Sequence, residues 1–128
     1  MQKIFLVIGT VLSGLAVLLG AFGAHGLRKI VEPENLAVYQ TGVQYQMYHA
    51  LALILVALLS ERIFNNFISY AGYLFVAGIV LFSGSLYLIV SFHAMNKPVS
   101  TAVGVITPIG GLLFILGWIS LLAGVLRK

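Results

Sequence analysis

The chain has 128 residues, of which 61% are hydrophobic and only 8% are charged, and its mean hydropathy is +1.10. Soluble domains have roughly 45–50% apolar and about 25% charged residues, so this composition excludes a soluble domain and indicates an integral membrane protein. The net charge of +4 is too sparse for a nucleic-acid surface. The chain has no cysteine, which excludes disulfide, thiol-redox and thiolate-metal chemistry.

The first predicted element is an uncharged run of 21 residues, over 4–24. At 1.5 Å per residue, about 20 residues cross the roughly 30 Å of membrane hydrocarbon, so we expect a transmembrane helix over about residues 3–25. The small residues Ala21 and Gly23 also have the spacing of a secretion-signal cleavage site. The run is long for a signal core, and we therefore expect the segment to remain as a membrane span.

The second predicted helix begins differently, because the uncharged run over residues 35–60 is polar in its first half and solidly apolar only over 50–59. Pro33 is favoured in a first helical turn, and Glu34 suits the positive end of the helix dipole. These signals predict one helix over about residues 34–60. At about 40 Å it is longer than the membrane core, so its first turns should stand in the headgroup region.

Two longer uncharged runs follow, one of 26 residues over 67–92 and one of 29 residues over 98–126. They predict helices over about 66–92 and 101–126. The predicted fold class is therefore all-α, a polytopic membrane protein with a compact bundle of four transmembrane helices. Because the loops are too short to hold a second domain, we expect residues 1–128 to form a single domain.

Small residues recur along one stripe of the first helix and one stripe of the last. Small side chains let helix backbones approach closely, which is how helices pack where lipid removes the hydrophobic driving force. We expect both stripes to pack inside the bundle, with an oligomer interface between copies as the alternative. Trp118 lies deeper than an interfacial residue and is assigned to packing. The stripe residues are Gly9, Ser13, Ala16, Gly20, Gly23, Gly110, Gly117, Ser120 and Gly124.

The basic residues set the predicted orientation. Four spans place three basic residues on one side of the membrane and four on the other: Arg28, Lys29 and Lys97 against Lys3, Arg62, Arg127 and Lys128. An excess of Lys and Arg marks the cytoplasmic side, which favours both termini in the cytoplasm. Because the difference is a single charge, a dual topology stays open, in which copies insert in both orientations.

Polar residues converge in one leaflet, because each of the four predicted helices carries them toward the same end of the bundle. An amide that faces hydrocarbon without a partner costs several kcal/mol. We therefore expect Gln40, Gln44 and Tyr48, which share one side of the second helix, to point inward. The full predicted set of site residues is His25, Gln40, Gln44, Tyr45, Tyr48, His49, Ser83, Ser85, Tyr87 and Thr107.

Two interpretations of this polar set stay open. In the first, its members form an interhelical hydrogen-bond network that only holds the helices together, each bond contributing about 0.6–2 kcal/mol. In the second, they line a hydrated pocket that is open to one leaflet and receives a lipid headgroup or a small amphiphile.

The ionisable residues do not form a catalytic or metal-binding pattern. All three acidic residues lie in predicted loops or at helix ends, and no carboxylate is placed to orient a serine–histidine pair. We therefore expect no enzyme activity. Only His49 is near mid-membrane, whereas His25 and His93 end their helices, so the three histidines are roughly 10 Å too far apart to share one ion. We expect neither a metal nor another cofactor.

A resemblance to a known family rests on four stretches and one dipeptide: GAFGAHGL (20–27), YQTGVQYQMYHALAL (39–53), FSGSLY (82–87), ITPIGG (106–111) and GW (117–118). In this order, and over essentially the whole chain, they resemble the small membrane proteins grouped with bacterial YgdD and YwdK and with eukaryotic transmembrane protein 256. The resemblance implies four transmembrane helices and, for a bacterial member, the inner or plasma membrane. It implies no accepted activity.

Together, these observations predict a non-enzymatic integral membrane protein that binds a lipid or small amphiphile, or supports a partner, through the polar half of its bundle. The alternative is a small oligomeric channel or carrier in which the same residues line a hydrated path. The expected partners are membrane lipids and, for the alternative, further copies of the chain. The sequence does not specify a protein partner.

Overall fold

The structure, a computed structural model, describes residues 3–127 and consists of four long helices. Helix α1 spans Lys3–His25, α2 spans Pro33–Leu59, α3 spans Asn66–Ala94 and α4 spans Thr101–Leu126. Each is long and apolar enough to cross a membrane, and the described residues include no strand. The predicted all-α bundle of four transmembrane helices is therefore confirmed. Residues 1, 2 and 128, which the predicted domain and charge count include, lie outside the described residues.

The helix ends follow local capping chemistry. Pro33 occupies the first turn of α2, where its missing N–H has no helical partner to lose. The Asn65 side chain accepts a hydrogen bond of 3.1 Å from the Phe67 N–H at the start of α3, and Ser100 accepts one of 3.2 Å from the Ala102 N–H at the start of α4. The predicted bounds differ from the observed ones by at most two residues, most at the end of α3.

The helices pack in chain order, with α1 on α2, α2 on α3 and α3 on α4. The central helix α2 accordingly buries more residues than α1 does. Neighbouring helices are antiparallel, so Lys3, Leu59 and Leu126 lie at one side of the membrane, called here the terminal side. His25 and Pro33 lie at the other side, called the opposite side.

Glycines set the close contacts between neighbouring helices. A Cβ atom at Gly9 of α1 would lie 2.7 Å from the Ala50 carbonyl oxygen of α2, and one at Gly117 of α4 would lie 2.6 Å from the Phe75 ring of α3. Both distances are shorter than packed atoms allow, so a larger residue would push the helices apart. The prediction that the small-residue stripes pack inside the bundle is confirmed at these positions.

Helix α3 contains a π-helical turn at Ile79–Ser83. A π turn adds one residue to the turn and changes the direction of the side chains that it carries. The turn lies against α4, where a Cβ atom at Gly110 would meet the Phe82 backbone. It also carries Ser83 against α2, where the Ser83 hydroxyl reaches the Gly42 carbonyl. No sequence pattern predicted this turn, which positions part of the polar set.

Candidate functional site

Two groups of polar side chains are relevant to the predicted site. The first, called here the exposed track, lies on the outer surface of α2 and consists of Gln40, Gln44, Tyr45 and Tyr48. The second, called the buried network, is a set of linked side chains that bond to a neighbouring helix, most of them buried or partly buried, with Trp118 44% exposed at its edge. Its members are Tyr39, Gln46, His49, Ser83, Ser85, Tyr87, Thr107 and Trp118.

One chain of hydrogen bonds in the buried network crosses three helices. The Tyr87 hydroxyl of α3 donates to Gln46 Oε1 of α2 at 2.7 Å, and Gln46 Nε2 donates to the Leu12 carbonyl of α1 at 2.8 Å. Gln46 is only 3% exposed, and both ends of its amide are used. Nearer the opposite side, the Tyr39 hydroxyl donates to the Leu19 carbonyl at 2.5 Å. These bonds tie α2 to both of its neighbours.

The two serines of α3 form the second part of the buried network. Ser83 Oγ donates to the Gly42 carbonyl of α2 at 2.6 Å. Ser85 Oγ donates to the Phe82 carbonyl at 2.8 Å and lies 2.5 Å from Thr107 Oγ1 of α4, so the Thr107 hydroxyl donates in that contact. Every buried side-chain nitrogen and oxygen in the described residues has a partner. The first of the two interpretations, interhelical bonding, therefore describes these residues.

His49 occupies the middle of α2 and links it to α4. Its Nδ1 lies 2.8 Å from the Tyr45 carbonyl, and its Nε2 lies 3.0 Å from Trp118 Nε1. Because a carbonyl only accepts and an indole N–H only donates, the ring is neutral, with its proton on Nδ1. The ring also stacks on Phe114, with centroids 3.6 Å apart. Trp118, assigned from the sequence to packing, is thus also the hydrogen-bond donor that orients His49.

The prediction that Gln40, Gln44 and Tyr48 point into the bundle is wrong. All three are exposed on the outer surface of α2, Tyr48 by 55%. Gln44 and Gln46 are about 160° apart around a helix that turns 100° per residue, so they cannot both face the core. The close approach of α1 and α3 selects the face that includes Tyr39, Gly42, Gln46, His49, Ala50 and Leu53.

His25 of the predicted set joins neither group. It is the last residue of α1 and is exposed at the end of the bundle. His93 is likewise exposed near the end of α3, whereas His49 is buried in the middle of α2. Within residues 3–127, no three metal-ligating side chains come together. The polar set is therefore not gathered at one point.

Three members of the buried network were not in the predicted set of site residues: Tyr39, Gln46 and Trp118. Tyr39 and Gln46 are seven residues apart and His49 follows three residues later, which is the spacing of one helix face. That spacing is the signal that identifies Gln46. For Trp118, the signal is an indole N–H at membrane depth, which needs an acceptor.

A groove of about 610 Å³ opens beside the exposed track, between α2 and α4, and is called here the α2–α4 groove. Tyr45 and His49 of α2 line it together with Phe82 of α3, and the Tyr45 and Phe82 ring centroids are 4.8 Å apart. The α4 wall is largely apolar and consists of Pro108, Gly111, Leu112, Phe114, Ile115 and Trp118. An apolar groove with few polar groups is a typical form of a site for a small ligand.

Most of the chain matches a known protein family. Residues 19–111 match a family described as protein of unknown function (DUF423). The chain belongs to the DUF423 family. In this DUF423 protein the matched region contains all of α2 and α3, and with them the whole exposed track. It also includes the start of α4, with Thr107 and Pro108.

Bacterial relatives match the DUF423 protein over most of its length. It is 44% identical over 127 residues to the UPF0382 membrane protein YwdK of Bacillus subtilis (strain 168), covering 98% of each chain. Identity is 48% over 114 residues to a UPF0382 membrane protein of Haemophilus influenzae, covering 88% of this chain and 86% of that one. It is 43% over 121 residues to SAB0533 of Staphylococcus aureus (strain bovine RF122 / ET3-1), covering 94% and 93%. No solved structure matches the chain.

These comparisons confirm the resemblance to YwdK and its relatives and the membrane character of the DUF423 protein. The names of these three relatives state a membrane protein and specify neither an activity nor a ligand. The chemistry of the exposed track and the α2–α4 groove is therefore the guide to function.

Proposed function

We propose that this protein is a non-enzymatic integral membrane protein that binds a lipid or small amphiphile in the α2–α4 groove. The apolar part of the ligand lies in the groove, and its polar part meets the exposed track at the edge of the groove. The proposal includes the bacterial plasma membrane as location, with both termini in the cytoplasm. In that orientation the exposed track lies in the leaflet away from the cytoplasm.

The observation that carries the proposal is the position of the Gln44 amide, which is exposed and makes no hydrogen bond to another residue of 3–127. Gln44 lies about 22 Å from Leu59 along α2. If about 30 Å of hydrocarbon is counted from Leu59, Gln40 reaches the headgroup boundary and Gln44 lies about 7 Å below it. An unpartnered amide at that depth is costly, so a partner from outside the chain would stabilise it.

The residues around the exposed track set the chemistry of the ligand. Tyr45 and Tyr48 belong to the same exposed track as Gln44, and their rings, each of which carries a hydroxyl group, are 5.6 Å apart. No charged side chain lines the α2–α4 groove or belongs to the track, which favours an uncharged head that carries ester, amide or hydroxyl groups. Both ring nitrogens of His49 are already bonded, so His49 shapes the groove and does not bind the ligand head.

Paired substitutions on α2 test the proposal, because Gln44 is exposed and Gln46 is buried. Wild type, Gln44→Leu and Gln46→Leu are purified in mild detergent, and the lipids bound per folded molecule are quantified by mass spectrometry. We expect Gln44→Leu to keep its fold and to lose most of the bound ligand. We expect Gln46→Leu to lose stability but to keep its ligand per folded molecule. Equal ligand content in wild type and Gln44→Leu contradicts the proposal.

A second pair of variants tests the groove itself. A Cβ atom at Gly111 would lie 3.8 Å from the Phe82 ring, and one at Gly104 would have no neighbour within 4 Å. A side chain can therefore start at both positions of α4 without a clash at its Cβ atom, but only Gly111 lines the α2–α4 groove. We expect Gly111→Leu to displace the ligand and the matched control Gly104→Leu to retain it.

The outward direction of the exposed track favours a second candidate function, a small oligomeric channel or carrier. If copies associate through this surface of α2, Gln40, Gln44 and Tyr48 line a polar path between them. The chain has no cysteine, so disulfide crosslinking of a single Gln44→Cys variant reports whether two copies meet there. Crosslinking together with ion or solute flux in liposomes favours the channel, and the absence of both favours ligand binding.

A further inference from the structure

A second amphiphilic surface lies between α3 and α4, on the other face of α4 and nearer the terminal side. Its deeper part is an apolar groove of about 530 Å³, called here the α3–α4 groove. Tyr73 of α3 and Ala123 of α4 line it. The Ser120 hydroxyl, which also lines it, donates to the Phe67 carbonyl at 2.8 Å. The wall of the α3–α4 groove is therefore largely apolar, and the hydroxyl of its one serine is already hydrogen-bonded within the chain.

A polar crevice of about 580 Å³ adjoins the α3–α4 groove at the terminal side. Phe67 and Tyr70 line both cavities, which are therefore adjacent. Asn66 and Arg127 also line the crevice, since α3 begins and α4 ends there. Together the two cavities are polar at the membrane surface and apolar toward the membrane interior. A lipid, with its polar head and apolar chains, has the same distribution of polarity.

Arg127 brings a positive charge to the crevice that no carboxylate of residues 3–127 neutralises. Its guanidinium carbon lies 5.3 Å from the centroid of the Phe67 ring. This cation–π contact holds the guanidinium over the aromatic face at the mouth of the groove. A guanidinium binds phosphate oxygens through two parallel N–H bonds. The group is therefore placed to bind a phosphate at the membrane surface.

We propose that the α3–α4 groove and Arg127 form a binding site for an anionic phospholipid. One acyl chain occupies the groove, and the phosphate binds the guanidinium. Charge complementarity identifies this occupant, because Lys3, Arg62 and Arg127 share the terminal side with a single acidic side chain, Glu61. A free phosphate would leave the apolar groove unfilled. This site differs from the α2–α4 groove in its leaflet, in the face of α4 that forms it and in the charge of the ligand head. The failure of one proposal would therefore leave the other untouched.

Native mass spectrometry of the full chain tests the charge of the ligand. The protein is titrated with phosphatidylglycerol and, separately, with zwitterionic phosphatidylcholine, and we expect it to prefer phosphatidylglycerol. Arg127→Gln should lower the affinity for phosphatidylglycerol roughly tenfold, because charge-assisted hydrogen bonds to the phosphate are lost. The matched control Arg62→Gln removes the same charge from the same side but outside the crevice, and it should leave the affinity unchanged.

A second pair of variants tests the groove. Ala123→Phe fills the α3–α4 groove and should reduce phosphatidylglycerol binding, whereas Val125→Phe, on an exposed part of α4 outside the groove, should not. Circular dichroism checks that each variant folds. Three outcomes overturn the proposal: equal binding by Arg127→Gln and Arg62→Gln, equal affinity of the wild type for both lipids, or a second copy of the chain covering this face in place of lipid.

Discussion

Gln44 and Gln46 lie two residues apart on α2 and have the same side chain, yet their surroundings differ. Gln46 is 3% exposed and bonds to Tyr87 on one neighbouring helix and to Leu12 on the other. Gln44 faces away from the bundle and bonds to no other described residue. The same amide therefore holds helices together at one position and is left without a partner among the described residues at the other.

The comparison extends from these two residues to the buried network and the exposed track as wholes. Groups in the buried network are paired across helices, so their hydrogen-bonding capacity is used within the chain. The Gln44 amide of the exposed track leaves that capacity unused within the described residues, and our proposal assigns it to a ligand. In a membrane protein, a polar side chain that faces lipid is thus a better candidate for binding than a polar side chain that is buried and bonded.

Gln46→Leu is expected to have the largest effect on stability. It leaves the Tyr87 hydroxyl without its acceptor and removes the side-chain donor to the Leu12 carbonyl, which should cost about 2–3 kcal/mol. Reversible unfolding in mixed micelles measures the loss. The double variant Gln46→Leu/Tyr87→Phe should recover part of it, because the orphaned hydroxyl is removed. Unchanged stability of the single variant would mean that the network does not hold the helices.

His49→Phe is expected to cost about 1–2 kcal/mol, because the aromatic stack on Phe114 survives while Trp118 loses its hydrogen-bond acceptor. Trp118 is the only tryptophan of the chain, so its fluorescence reports the change directly. We expect emission at shorter wavelength once the indole N–H is unbonded. An unchanged spectrum would show that the bond to His49 is absent in the membrane.

A double-mutant cycle on Ser85→Ala and Thr107→Ala should give a smaller coupling energy of about 0.6 kcal/mol, the average for interhelical hydrogen bonds in a membrane. The cycle isolates the pair from the separate bond of Ser85 to the Phe82 carbonyl. If the two substitutions changed the free energy of unfolding additively, the Ser85 and Thr107 hydroxyl groups would not be in contact.

Gln44→Leu should have the smallest effect on stability, between zero and a gain of about 1 kcal/mol, because it places an apolar side chain against lipid. The same unfolding experiment measures it beside Gln46→Leu. If both variants were destabilised equally, the assignment of one glutamine to the buried network and the other to the exposed track would be wrong.

Much of the architecture was predictable from the order of residues along each segment. Uncharged runs long enough to cross hydrocarbon located the four helices, and Pro33 marked the start of α2. The stripes that contain Gly9 and Gly117 identified surfaces where backbones come close. These features depend on local composition and helical spacing, and both can be read from the printed sequence.

The candidate site was predictable only in part. For Ser83, Ser85, Tyr87 and Thr107 the sequence left open both an interhelical network and a ligand pocket, and in the structure their hydroxyl groups bond inside the bundle. The predicted orientation of the polar side of α2 was wrong, because it rested on the cost of an unpartnered amide in hydrocarbon, whereas Gln40 and Gln44 face outward in the structure. The role of the polar set in binding a ligand stays a prediction.

Length and hydropathy determine that α1 to α4 cross the membrane, because the transfer of each segment into lipid depends on its own side chains. The rotation of α2 depends instead on its neighbours. Gly42, Gln46 and His49 form the surface that fits α1, α3 and Trp118, and the π turn at Ile79–Ser83 brings Ser83 into reach. Those contacts join residues that are far apart in the chain, so only the packed structure distinguishes Gln46 from Gln44.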